Sequence, residues 1–228
     1  MSCVDDLETL ARSDVDGFEI ALRRRRTPTG DVHELVVNGA FAMDSVDASS
    51  ELALADLVDA GATSVLVGGL GLGFTAARLL DRTDAHLDVV ELSSALLDWA
   101  QAGITAQLGR VARDPRVRFV HADIANVLTD PEAGRWDAIL LDVDNGPDFL
   151  IHDHNAGLYS PTLLAAAHSH LTAGGLLAVW CQGENADLAS DLTALDPDAG
   201  HTRVHVERDN HTIDYAIYSV KRGRTTSP

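Results

Sequence analysis

The sequence predicts an α/β fold: a mostly parallel sheet of seven strands with helices on both faces, an antiparallel carboxyl-terminal edge, and a small β-hairpin extension in front. Three observations predict it. From Thr63 onward, short apolar runs alternate with longer runs of helical periodicity. Runs such as Ala138-Ile139-Leu140-Leu141 are apolar on both sides, as strands buried on both faces of a parallel sheet must be. In the last third, His201 to Arg208 and Thr212 to Val220 alternate polar and apolar residues around Asp209-Asn210-His211, which is the pattern of an antiparallel pair.

Taken in order, residues 1–48 form the extension, 49–220 the main domain and 221–228 a polar tail. The first ten or so residues read as a frayed acidic segment. Phe18 to Arg23 and Val32 to Val37 then bracket the turn Thr27-Pro28-Thr29-Gly30-Asp31 as a hairpin, with the arginines Arg23 to Arg26 at its tip. Those arginines suit either a phosphate, an acidic partner, or simple solvation at a hairpin end. Ser49-Ser50-Glu51 starts a helix running to about Ala60, with serine caps and an early acid. Strands follow near 63–68, 86–91, 116–121, 136–142 and 175–181, and helices near 73–82, 93–107, 123–129, 160–172 and 184–195.

The stretch Thr63 to Phe74, TSVLVGGLGLGF, organises the chain: a strand, a turn carrying Gly69, Gly71 and Gly73, and an apolar helix. Glycines let such a turn take positive φ and approach a ligand, and the first amides of the helix offer unpaired donors. Glycines also serve the packing of a tight turn, so the pattern gains meaning from its partner. That partner is the next strand, His86 to Val90, which ends in Glu91, followed by Leu92. A carboxylate at that tip is placed to accept hydrogen bonds from two ribose hydroxyls.

Charge and cysteine usage narrow the classes. With 17 basic against 35 acidic residues the net charge is −18, a field that repels nucleic acid and anionic membranes and gathers cations, or that simply confers solubility. The two cysteines, Cys3 and Cys181, make neither a metal spacing nor a disulfide framework, which fits a reducing cytoplasm. No apolar run approaches the ~18 residues of a membrane span and no signal peptide opens the chain, so a soluble protein is expected.

Ligands of an open α/β sheet collect beyond the carboxyl ends of its strands. After the third strand stands Asp123, followed by Ile124; the acid could accept the exocyclic amine of adenine or only cap the helix it begins. After the fourth comes the densest polar cluster, Asp142-Val143-Asp144-Asn145-Gly146-Pro147-Asp148, opposite the glycine turn. Tyr159, Asn155 and Trp180 are candidate walls for a substrate, with Trp180 equally at home in a core.

These blocks, VLVGGLGLGF, VVELS, DPRVRFVHADI, WDAILLDVDNGP and LYSPTLLAAAHSHLTAGGLLAVW, in this order, resemble the spermidine synthase-like branch of the class I adenosylmethionine-dependent transferases. The LVVNG hairpin and the helix acid Glu51 resemble that family's amino-terminal extension, so the likeness spans about residues 17 to 220. It implies that Gly69, Gly71, Gly73, Glu91, Leu92, Asp123, Ile124 and Asp142 hold the cofactor. It also implies that Asp142 is the acid beside the reacting amine, and that the chain pairs into a homodimer through its extension.

Departures from the family pattern decide the expected chemistry. Spermidine synthases place an aspartate in the glycine turn to pair with the ammonium of decarboxylated adenosylmethionine, and here Leu72 stands there. Losing that charge-assisted bond costs about 1.5 to 3 kcal/mol, which favours S-adenosyl-L-methionine. Their D-x-x-D pair is shifted, with Asn145 third after Asp142 and the extra acid at Asp144, and Ser49-Ser50 replaces a tyrosine-histidine pair. The expectation is therefore methyl transfer to a nitrogen of a small cationic, amine or amino-acid-like substrate. Asp142 and Asp144 are assigned to catalysis, and Glu51, Asp144, Asn145 and Tyr159 to substrate binding. Aminopropyl transfer from the decarboxylated cofactor is the alternative. A reading from another class, a non-catalytic nucleoside- or metal-binding protein, rests on Asp148, His152, Asp153 and His154, although neighbours on an irregular segment rarely converge on one ion and no metal is expected.

Overall fold

The computed structural model describes residues 6–15, 17–143, 146–147, 157–208 and 211–223. Its amino-terminal part is a four-stranded antiparallel meander of β1 (Asp6–Val15), β2 (Phe18–Thr27), β3 (Gly30–Val37) and β4 (Ala40–Asp44), in that spatial order. The extension is thus larger than the expected hairpin, and the residues from Asp6 onward are strand instead of frayed chain. The reason lies across the sheet. Asp6 stands opposite Arg26 and Glu8 opposite Arg24, and ion pairs at 3.1 Å and 2.5 Å join them. On the other side Arg25 meets Glu34 at 2.9 Å. The arginine run therefore lies within β2, with Arg24, Arg25 and Arg26 paired to this chain's own acids, and the turn closes between Thr27 and Gly30.

The main sheet has seven strands: β5 (Ser64–Gly68), β6 (His86–Glu91), β7 (Val117–His121), β8 (Trp136–Leu141), β9 (Leu171–Gln182), β10 (Gly200–Arg208) and β11 (His211–Lys221). Their order is β10-β11-β9-β8-β5-β6-β7. The five strands from β9 to β7 run parallel, and β11 and β10 add antiparallel at the edge, as the sequence predicts. The chain leaves β5 toward β6 on one side and returns to β8 on the other. A crevice opens where the order reverses, and ligands of such sheets bind there.

Helices cover both faces: α1 (Ser49–Asp56), α2 (Phe74–Arg82), α3 (Ser94–Ala102), α4 (Ala106–Arg113), α5 (Ile124–Thr129), α6 (Pro161–Ser169) and α7 (Ala186–Leu195). The single helix expected over 93–107 is two. Gly103 takes φ +69° and ends α3, and the Thr105 side chain accepts the Leu108 amide to start α4, whose apolar stripe of Leu108 and Val111 is buried. α1 is shorter than expected, and its cap residue is Ala48, without a side-chain cap; the Ser50 hydroxyl bonds Glu51 instead. β9 begins at Leu171, four residues earlier than its apolar run suggests, by pairing with Trp136 ahead of a register shift.

Strand alternation divides the interior into two cores. Val65, Val67, Ala138 and Leu140 face the first core, under α1 to α4, together with Ile20, Leu22, Leu35 and Val37 of the amino-terminal sheet. Leu66, Ile139 and Leu141 face the second, with α6 and α7. The amino-terminal sheet is thereby packed into the same core as the glycine turn, close to the open ends of β5 and β6. Among the described residues no helix is long and apolar enough to cross a membrane.

Candidate active site

The glycine turn joins β5 to α2 in a conformation that side chains would resist. Gly69 has φ +90°, its amide bonds the carbonyl of Val90 at 2.8 Å, and a Cβ placed on it would collide with the carbonyl oxygen of Asp142. That missing atom lets the ends of β5 and β8 close together, with the Asp142 amide bonded to the Gly68 carbonyl at 2.8 Å. Gly71 has φ +51° and lines the cleft beyond. Gly73, assigned to the cofactor from sequence, is not on the cleft wall. It caps α2 at φ +85° and faces Val111 and Leu108 of α4, so packing accounts for it.

Glu91 lies at the tip of β6, its carboxylate gripped by two amides: Leu70 donates to Oε2 at 2.9 Å and Ser93 to Oε1 at 2.8 Å. Burial raises its pKa, and those amides oppose the rise. The grip aims the acid at the turn, because the Leu70 amide belongs to the turn itself. Asp123 caps α5, its Oδ1 accepting the Ala125 amide, and the residue also lines the cleft, beside Ile124. Leu92 lines it as well.

Asp142 ends β8 on the same wall. Thr75, the second residue of α2, donates to its Oδ2 at 2.6 Å. Enclosure by protein, then the negative charge of Glu51, push the Asp142 pKa up to about 7, against the pull of the Thr75 hydroxyl. Glu51, from α1, is buried on the cleft wall with the Ser50 hydroxyl donating to Oε2 at 2.6 Å. Two acids from distant elements thus face one cavity, and a cation between them would relieve their repulsion.

The cleft measures about 950 Å³ including its open mouth. Phe18, Ile20, Leu35 and Val37 of the amino-terminal sheet form its apolar side. A second chamber of about 610 Å³ adjoins it, sharing Ala42, Met43, Glu51 and Trp180 and adding Asp44, Asp47, Gln182 and Tyr215. Trp180 serves as wall and core together: it is 8% exposed, lines both spaces and stacks on Tyr215 with centroids 4.9 Å apart. Tyr159, expected at the substrate, lies instead in the second core with Leu158 and Leu163. Its apolar neighbours on α6 outweigh any pull toward the cleft. Asp144, Asn145, Asp148, His152, Asp153, His154 and Asn155 lie outside the described residues.

Sequence reasoning missed three contributions. Thr75 could have been found as the hydroxyl that follows the turn by one helical position. Met43 and the apolar wall from β2 and β3 carry no local signal, because tertiary packing brings them.

An adenosyl cofactor fits the chemistry of this arrangement: a turn whose glycines admit close approach, an acid held at the tip of the second strand, and a cleft with an apolar side and a few convergent acids. Among solved structures the chain is similar to spermidine synthase in complex with the transition-state analogue AdoDATO, at 16% identity and TM-score 0.73, over 93% of this chain and 73% of that one. It is also similar to spermidine synthase from Thermotoga maritima, at 15% identity and TM-score 0.72, over 93% of this chain and 72% of that one. These likenesses concern the fold. No curated protein matches the chain. Residues 32–210 match the model of the methyltransferase small domain, from within β3 to just past β10, and the chain belongs to that family.

Proposed function

We propose that this chain is an S-adenosyl-L-methionine-dependent methyltransferase acting on a nitrogen of a small cationic substrate. The observation that carries the reading is Asp142, a carboxyl raised to about 7 at the cleft and facing a second acid, Glu51. Such a group attracts an ammonium and is basic enough to take its proton near neutral pH. Glu91 and Asp123 would hold the ribose and adenine, and the amides of the glycine turn would receive the carboxylate of the cofactor. The cofactor supplies a methyl group already activated on a sulfonium, so the protein's work is to orient the amine and expose its lone pair. Asp142 accepts the proton that frees that lone pair and is then neutral, so Glu51, still ionised, stabilises the positive charge that develops on nitrogen. Thr75 fixes the rotamer of Asp142 through its hydrogen bond to Oδ2.

The turn supports methyl over aminopropyl transfer: from Gly68 to Gly73 it carries no acid for an ammonium tail, and Leu72, 3% exposed, is packed into the first core. Aminopropyl transfer from decarboxylated adenosylmethionine is the second reading, favoured by the shared fold with spermidine synthases. Calorimetry with the two cofactors separates them. Tight binding of the intact form, with a mass gain of one or more methyl groups on a member of an amine panel, is expected. Preference for the decarboxylated form would hand the case to aminopropyl transfer.

A further inference from the structure

Met43 reaches the glycine turn from a different layer of the molecule. Its Sδ accepts the Leu72 amide at 3.3 Å. It also sits where Gly71 lacks a side chain, since a Cβ there would stand 2.7 Å from Sδ. The bond is a poor one, because a thioether is a weak acceptor and the Leu72 N–H belongs to a turn built to donate. An oxygen anion would make a charge-assisted bond with the same amide, roughly twice as strong as a neutral one.

The surroundings leave the sulfur free to yield. Met43 pairs with Leu35 while Phe41 pairs with Val36, so Ala42 between them is a bulge that loosens β4 at this point. Methionine has three rotatable bonds, and Met43 lines the second chamber, which is open to solvent, as well as the cleft. The side chain therefore has somewhere to go.

We infer that Met43 is a placeholder on the glycine turn, exchanged for the carboxylate of the incoming cofactor, and that this exchange makes it a specificity-determining residue. The inference rests on the adenosylmethionine reading above. A carboxylate displaces the sulfur from the Leu72 amide. An ammonium tail brings only donors, which an N–H cannot bond, and so leaves Met43 in place. Because Met43 also stands between the two chambers, its departure opens the cofactor cleft toward Asp44 and Asp47 only when a carboxylate-bearing cofactor is seated.

The test uses the full chain labelled with ¹³C at the methionine methyls. The sequence holds two methionines, Met1 and Met43, so the signal lost in Met43→Leu is assigned directly. Titration with S-adenosylhomocysteine, which carries the carboxylate, should move the Met43 methyl resonance, whereas methylthioadenosine, which lacks the amino-acid tail, should bind and leave it near its free position. If both bind and the resonance responds alike to both, or to neither, the placeholder role is overturned while the cofactor reading stands. If neither binds, the cofactor reading falls and takes this inference with it. Met43→Leu keeps the bulk but leaves the Leu72 amide unpaired in the free protein. Its affinity for S-adenosylhomocysteine should rise about threefold to tenfold, with methylthioadenosine unchanged; an equal change for both ligands would overturn the inference.

Discussion

The two sheets of this molecule handle charge in opposite ways. In the amino-terminal sheet, acids meet arginines across neighbouring strands in solvent, and Arg24 holds the Glu8 carboxyl below the usual glutamate range. At the open end of the main sheet, the acids at the strand tips are held differently. Glu91 is held by amides, and Asp142 by one hydroxyl with another acid nearby. Burial and repulsion raise the pKa of Asp142 as surely as pairing lowers that of Glu8. The first arrangement is nearly neutral for stability. The second costs stability, and a buried acid displaced in this way is the kind of group on which the proposed proton transfer rests.

The hardest blow to that contrast is Asp142→Asn. The amide keeps the shape and the Thr75 contact but cannot take a proton. Turnover should fall about a hundred- to ten-thousandfold, while calorimetry should find cofactor affinity changed by no more than about twofold, because the proposed cofactor contacts are Glu91 and the turn. Full activity in this variant would remove Asp142 from the mechanism.

Gly69→Ala attacks the same site through the backbone. It combines a left-handed φ with a collision against the Asp142 carbonyl, and should cost about 2 to 4 kcal/mol of stability in denaturant unfolding. A variant as stable as the parent would mean that the ends of β5 and β8 are not held together as described.

Titration sharpens the comparison further. Asp142 must be ionised to accept a proton, so the rate should climb as pH rises through about 7. Glu51→Gln removes a repelling charge and moves that limb toward acid; Thr75→Val removes a stabilising hydrogen bond and moves it toward alkali. Stability runs the other way. An acid whose folded pKa is raised loses stability for the fold as pH climbs from its unfolded value near 3.8 to about 7. Asp142→Asn should therefore be more stable than the parent at pH 8, with the gap closing below pH 4. Limbs that move in the reverse directions would sink the assignment.

Legibility in the sequence follows the same division. The strand-end residues Glu91, Asp123 and Asp142 could be found without a structure, because a parallel sheet collects its ligands at one end and local patterning locates each strand. Glu51 came from resemblance alone, since nothing in Ser49-Ser50-Glu51 says that α1 turns its acid toward β8. Met43 and the wall of Phe18, Ile20, Leu35 and Val37 were invisible because they reach the site by packing of one sheet against another. β1 was misread because its strand is held by partners, Arg24 and Arg26, that stand sixteen and twenty residues further on. The split between α3 and α4 rests on Gly103, a left-handed helix stop that the apolar periodicity on either side of it hides.

The smallest effect belongs to the arginine ladder. Glu8 and Arg24 are joined at 2.5 Å with their side chains 50% and 26% exposed, so solvent and salt screen most of their attraction. Glu8→Gln should leave the melting temperature and the rate where they were, at low salt and at high. Ile20→Ala, on the neighbouring strand but in the shared core and on the cleft wall, should cost about 2 to 5 kcal/mol and weaken cofactor binding together with it. Comparable losses in the two variants would mean that the ladder, and not the apolar face beneath it, fastens this sheet to the catalytic end of the molecule.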